Sequence, residues 1–450
     1  MSFIISELTG MGILAGLFLL VTFFVESAAR SELLCPESSR KSIHVLGGLG
    51  CLLFPVLVES WISVLIMSII FGVFFYASEK FQLLKSLSSV KRKSLGSLLF
   101  PIAILFLFIT AQKQMWLYTS SLLVLVLADT AAALAGTQFG KVTYATCETQ
   151  KKSLEGSLSF ALIAYAAVFS SMVFLSDFPV ITCALTTLLM VIILMGIEGV
   201  SIGGTDNIFV PLITVFMLMK TPTKPQEEIL FQCASLIGIA ILVVIMNAHR
   251  HNLRIRHIII YVIAAYTSWS LGGLDWAIPF IVGFVAYDLL CKNCTPVIDS
   301  ISSRRIVRPF IPIMILVFIA NLTENFSFLF GPFLVTGFFT TSACIVNRFR
   351  DTQHETITEF KCTCITAIIT LLLCIPTQGF YTVICLSPVI VATSILLSIV
   401  YKKLPYNSEH TGLQRYKIPL ISASGAGIYS LLQFAGLPLM QPLTWMEVFR

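Results

Sequence analysis

Residues 128–156 read ADTAAALAGTQFGKVTYATCETQKKSLEG. The stretch begins inside an apolar run, with Asp129 leading a track of small residues, Ala133, Gly136 and Gly140. At about 100° per residue these positions fall along one helical face. The chain then leaves the run through a loop with Lys141, Lys151 and Lys152 and reaches Glu155-Gly156 just before the next apolar run. Glycines spaced as Gly136 and Gly140 are a close-packing motif for membrane helices. A packing face, however, gains nothing from an acid. A carboxylate part-way down a membrane helix costs about 2.5–3.5 kcal/mol on insertion scales, and by default it marks a functional site. The stretch is not a phosphate-binding P-loop, because the glycine spacing is too short and no Ser or Thr follows the lysine.

The rest of the chain makes a membrane setting the natural one. Of its 450 residues 57% are hydrophobic and only 12% charged, about half the charged share of an ordinary soluble domain. A spanning helix needs about 20 apolar residues. Sixteen candidate runs begin near residues 10, 43, 61, 95, 116, 157, 180, 207, 229, 257, 275, 306, 326, 361, 379 and 417. The predicted fold is therefore an all-α polytopic membrane helix bundle of about 16 transmembrane helices. Its first run, Gly10 to Val25, lacks a basic flank before it and a small-residue cleavage site after it, and reads as a retained helix. The twelve cysteines lie mostly within apolar runs, where Cys acts as a small hydrophobe. Cys291-x-x-Cys294 and Cys362-x-Cys364 lack a second pair at zinc spacing.

Alternating loops sort the basic residues. One side collects 25 of the 29 Lys and Arg, leaving only Lys113, Lys220, Lys224 and Arg450 opposite. By the positive-inside rule the rich side is cytoplasmic, which places both termini on the non-cytoplasmic side. This orientation also accounts for the net charge of +6, so no nucleic-acid partner is expected. The expected location is a multi-pass integral membrane protein, in the cell membrane of a bacterium or the endoplasmic reticulum of a eukaryote.

Several chemistry-bearing groups fall on that same side. Arg40, Lys41 and His44 precede Gly47, Gly48 and Gly50 at a helix start, and the free N–H groups of such an end suit anions. Lys152 precedes Glu155 at another helix start, where Ser153 or Glu155 also serves as a cap. Glu198 ends a run, and Asp206 follows Gly203-Gly204 where an N-cap would sit. Acids gathered at one face suit Mg²⁺, which takes one or two carboxylates and shares phosphate oxygens with a substrate.

In this order the residues resemble the polyprenol kinase family, which includes CTP-dependent dolichol kinases and the phytol and farnesol kinases. The resemblance covers residues 30–220. It rests on Arg40-Lys41-x-x-His44, the run from Asp129 through Gly136 and Gly140 to Lys141, Lys152-Ser-x-Glu155-Gly156-Ser157, and Glu198 followed by Asp206-Asn207-x-x-Val-Pro211. It implies phosphoryl transfer from CTP, or another nucleoside triphosphate, to a lipid alcohol at the cytoplasmic membrane face, with Mg²⁺ as cofactor. Asp129, Asp206 and Glu198 are then the expected metal ligands, and Asp129, Asp206 and Glu155 the catalytic acids, with Asp206 as base. Arg40, Lys41, His44, Lys141 and Lys152 would cradle phosphates. Asn207 would orient a ligand, and Gly136, Gly140 and Gly156 would admit the nucleotide to the backbone. The implied partners are the lipid alcohol, the nucleotide and the surrounding membrane lipids.

Two alternatives stay open. CDP-diacylglycerol synthases share a distant pattern, of which Gly203-Gly204-Thr205-Asp206-Asn207 is a partial echo. A lipid transporter or flippase would also fit two eight-helix halves with glycine-broken helices. The motifs define a domain at residues 1–222. Residues 223–450 add further helices without a comparable set of acids.

Overall fold

The structure, a computed structural model, describes residues 2–34, 36–84, 95–111, 114–147, 150–248, 255–290, 310–351, 364, 368 and 417–436. The chain divides into two compact units, Met1–Ala234 and Ser235–Arg450. The first unit starts with α1 (Ser2–Arg30), α2 (Pro36–Gly50), α3 (Trp61–Lys80), α4 (Gly96–Ala111) and α5 (Met115–Leu123). A π-helical turn, Val124–Ala128, joins α5 to α6 (Asp129–Phe139). Two short strands follow, β1 (Thr143–Cys147) and β2 (Gln150–Ser153), then α7 (Leu154–Leu175), α8 (Val180–Val200), α9 (Asp206–Lys220) and α10 (Gln226–Ala248), which runs past the unit boundary. The second unit contains α11 (Ile255–Gly272), α12 (Leu274–Leu290), α13 (Ile311–Thr323), α14 (Phe326–Asp351) and α15 (Lys417–Phe434).

Seven helical stretches among the described residues are long and apolar enough to cross a membrane. Large apolar side chains face outward, Phe174 at 81% and Leu162 at 71% exposure among them, while acids and a lysine lie inside. That inversion suits a bundle whose solvent is lipid. Apart from Cys364 and Ile368, the runs expected near residues 361 and 379 lie outside the described residues, as do Cys291, Cys294 and Cys362.

Local chemistry explains where the helices begin. Ser60 caps α3 by accepting a hydrogen bond from the Ile62 N–H at 3.2 Å. Ser153 caps α7 in the same way, accepting from the Gly156 N–H at 3.1 Å, as one of the two sequence readings of that position anticipated. Glu7, a buried acid of α1, also serves the start of α3. It accepts from the Glu59 N–H at 2.7 Å and the Ser60 N–H at 3.3 Å, and from the Ser63 hydroxyl. Backbone N–H groups at a helix start have no partner within the helix, and a buried carboxylate is one way to satisfy them.

The strands depart from the all-helical expectation. β1 and β2 pair antiparallel, Thr143 opposite Ser153, Tyr144 opposite Lys152 and Ala145 opposite Lys151, with a register shift before Cys147 pairs with Gln150. The sequence around Thr143-Tyr144 is rich in β-branched and aromatic residues, which favour strands. Reading the segment only for its lysines misses the hairpin.

Candidate functional site

A cavity of about 340 Å³ opens in the first unit where ends of α2, α4, α6, α7, α8 and α9 meet the hairpin. Its construction starts at the π turn. Such turns re-aim the residues that follow them and are frequent at functional sites; here the next residue is Asp129. On α2, a Cβ at Gly48 would lie 2.4 Å from Val126 Cγ2, so only glycine lets α2 come this close to the turn. The approach brings Lys41 Nζ to 2.5 Å from Asp129 Oδ2. His44 Nε2 lies 3.1 Å from the Leu125 carbonyl oxygen and 3.7 Å from the same Asp129 oxygen. Arg40 lines the cavity beside them.

The small-residue face of α6 packs on the start of α7. A Cβ at Gly156 would lie 2.9 Å from the Ala132 carbonyl oxygen and 3.3 Å from Gly136 Cα. Gly136 and Gly156 therefore allow close packing and line the cavity at once.

The opposite wall is built by the hairpin and the α8–α9 turn. Lys152 Nζ lies 2.5 Å from Glu198 Oε1, also donates to the Glu198 carbonyl oxygen, and lies 3.9 Å from Asp206 Oδ2. Gly203 and Gly204 hold φ values of 65° and 85°, a region glycine occupies without strain, and this turn carries the chain from Glu198 to Asp206. The turn is tied to the start of α4: the Leu95 N–H donates to the Gly203 carbonyl at 2.9 Å, and Asn207 Nδ2 donates to the Gly96 carbonyl at 2.9 Å.

Burial alone would depress the Lys152 pKa, but the facing Glu198 and Asp206 carboxylates outweigh it and hold it above the ordinary lysine value. Lys152 is accordingly a fixed positive charge at neutral pH. Tyr144, whose hydroxyl lies 2.7 Å from Ser157 Oγ, has its pKa raised by burial first and by Glu198 as well.

The cavity gathers Arg40, Lys41, His44, Asp129, Gly136, Lys152, Gly156, Glu198, Asp206 and Asn207. Three expected members stand off it. Glu155 accepts from the Val142 N–H at 3.1 Å, so its carboxylate braces the loop and does not face the cavity. Lys141 is exposed on that loop. A Cβ at Gly140 would meet Ser153 Cβ at 2.9 Å, so this glycine is a packing residue. Asn207 lines the cavity, but its amide donor is taken by Gly96. Thr143, Lys151 and Ser157 join the lining; the β-type alternation after Val142 was the clue to Thr143. Asp206 is the first residue of α9, and Thr205 precedes it at the cap position.

Among the described residues no three His, Cys, Asp or Glu side chains form a ready metal cage. Mg²⁺ does not require one, since it is commonly held by one or two carboxylates plus substrate phosphates. Among the described residues Glu198 Oε2 is buried without a hydrogen-bond partner, and the neighbouring Asp206 is only loosely paired, 3.9 Å from Lys152. That donor set fits a hard divalent cation. Asp129, by contrast, is committed to Lys41. No protein-family model, curated protein or solved structure matches the chain.

Proposed function

We propose that the first unit is a membrane-bound phosphotransferase that moves the γ-phosphoryl group of CTP, or a related nucleoside triphosphate, to a lipid alcohol such as a polyprenol, dolichol or phytol. The observation that carries this reading is the buried Glu198 Oε2, without a hydrogen-bond partner among the described residues, in a cavity that also contains Lys41, Lys152 and Arg40. Phosphoryl transfer asks a protein mainly for positioning and for neutralising charge on the transferred group. Outward-facing Leu158 and Leu162 on α7, close to cavity-lining Ser157, suit an isoprenoid tail in the bilayer.

In the proposed reaction the alcohol oxygen attacks the γ-phosphorus. The bond from that phosphorus to the β,γ-bridging oxygen breaks, and its electron pair leaves with the nucleoside diphosphate. The alcohol proton passes to Asp206, the acid less tightly held by Lys152. Lys41 and Lys152, here paired with Asp129 and Glu198, turn to phosphate oxygens. Glu198 and Asp206 would hold Mg²⁺, which would supply charge neutralisation at the β- and γ-phosphates. The excess of basic residues in the loops on this side supports a cytoplasmic site in a multi-pass protein.

The test is label transfer in membranes containing the full chain, with Mg²⁺, a panel of prenols, and CTP labelled either at the γ-phosphate or in the base. Label from the γ-position alone in the lipid product is the expected result. Base label in the lipid would indicate a cytidylyltransferase. Lipid movement without label from any nucleoside triphosphate would indicate a transporter.

A further inference from the structure

We infer that Tyr144 is a positioning residue for Lys152, acting through a hydroxyl tie to Ser157 that sets where the hairpin presents its lysine. Tyr144 and Lys152 stand directly opposite each other in the antiparallel pair, and such cross-strand neighbours project from the same side of the ribbon. The Tyr144 hydroxyl reaches Ser157 Oγ at 2.7 Å in the first turn of α7, four residues past the cap residue Ser153 that ends β2. The tie therefore closes a small ring: β1 to α7 through Tyr144, α7 back to β2 through Ser153, and β2 to β1 through the ladder. That ring sets the strand position from which the Lys152 side chain extends. Its ammonium is held at 2.5 Å from Glu198 and within 3.9 Å of Asp206. A two-stranded hairpin is marginal on its own in water, so an outside anchor is what allows it to hold a charge in place. The charges of Glu198 and Lys152 both act on the Tyr144 phenol, which puts all three in one electrostatic cluster.

The inference deepens the phosphotransferase reading and rests on it for its kinetic expression. In membranes containing the full chain, Tyr144→Phe and Ser157→Ala should each raise KM for CTP by roughly two- to twelvefold, the range of one net hydrogen bond. Because Asp206 is untouched and Tyr144 does not line the cavity, kcat of Tyr144→Phe should stay within about twofold. The double variant should be no worse than the more affected single, since both remove the same tie, and Ser157→Thr, which keeps the hydroxyl, should restore the native KM. A second readout needs no activity: the acylation rate of Lys152, followed by mass spectrometry of the solubilised chain, should rise by the same factor in both single variants and in the double. Unchanged KM and unchanged labelling in Tyr144→Phe would overturn the inference, as would effects of the two substitutions that multiply. If the wild-type chain transfers no phosphate but the labelling rates behave as expected, the phosphotransferase reading falls while the positioning of Lys152 by Tyr144 stands.

Discussion

On the α2 wall of the cavity one lysine meets one acid; on the hairpin wall one lysine serves two. Lys41 and Asp129 are 2.5 Å apart with side chains 5% and 17% exposed, a pair that satisfies itself. Lys152 makes its short contact with Glu198 but sits 3.9 Å from Asp206, and Glu198 keeps one buried oxygen without a partner among the described residues. Among these three groups two acids share one lysine. Desolvated charge without a partner is expensive, so the hairpin wall has an incentive to take a cation that the α2 wall lacks. The walls use the same residue types. In the proposed reaction their wiring would divide the work: a cation and the proton acceptor on the hairpin side, and on the other a lysine that Asp129 holds until phosphate oxygens take it.

The sharpest way to break this division is Asp206→Asn. If Asp206 receives the alcohol proton, kcat for label transfer should fall about 10²–10⁴-fold, the usual contribution of a general base, with KM for CTP much less affected. A kcat close to wild type would move the base elsewhere. The next largest effect concerns stability. Removing one member of a buried pair strands the other, at about 3–5 kcal/mol. Asp129→Asn and Lys41→Met should therefore each lower the thermal midpoint of the solubilised chain substantially. The double replacement Lys41→Met with Asp129→Leu should recover most of that stability but no phosphate transfer. Singles that melt like the wild type would show that the α2 wall is not a self-contained pair.

Seven of the expected apolar runs were legible as long apolar helices because the solvent imposes them: about 20 apolar residues are needed per crossing wherever they occur. The acid at Asp129 stood out for the same reason, since nothing apolar requires it. Pairings were harder to read. Which lysine meets which acid depends on Gly48 admitting α2 to the π turn and on the left-handed Gly203-Gly204 turn, neither of which leaves a trace in hydropathy. The hairpin was missed because its strands are short and carry the lysines that drew attention to the loop. Glu155 was misplaced because a first-turn acid beside two lysines looks the same in sequence whether it faces a cavity or, as here, turns to the Val142 N–H.

Smaller effects refine the contact between α6 and α7. At Gly156 an added methyl would meet the Ala132 carbonyl at 2.9 Å, and backbone cannot yield as a flexible side chain can. Gly156→Ala should cost about 1–3 kcal/mol, as overpacking does, and should also narrow the cavity, so the thermal midpoint and the affinity for CTP should fall together. Gly12, with no described residue within 4 Å of its added Cβ, is the control, and Gly12→Ala should lower neither.

The smallest effect is expected at Glu155, where the sequence resemblance would expect one of the largest. Its carboxylate accepts from the Val142 backbone N–H at 3.1 Å through one oxygen and at 3.3 Å through the other, and that N–H lies just before β1. Glutamine in its place keeps a carbonyl oxygen able to accept the same bond, so the loop retains its brace. What is lost is a negative charge beside exposed Lys141, outside the cavity. Glu155→Gln should accordingly keep transfer activity within about threefold of wild type, a change comparable to the loss of one weak exposed interaction. Asp206→Asn, the same kind of neutralisation on the hairpin wall, should abolish nearly all of it. If Glu155→Gln were as inactive as Asp206→Asn, this carboxylate would have to reach the substrate, and the hairpin would have to rearrange during turnover to bring it there.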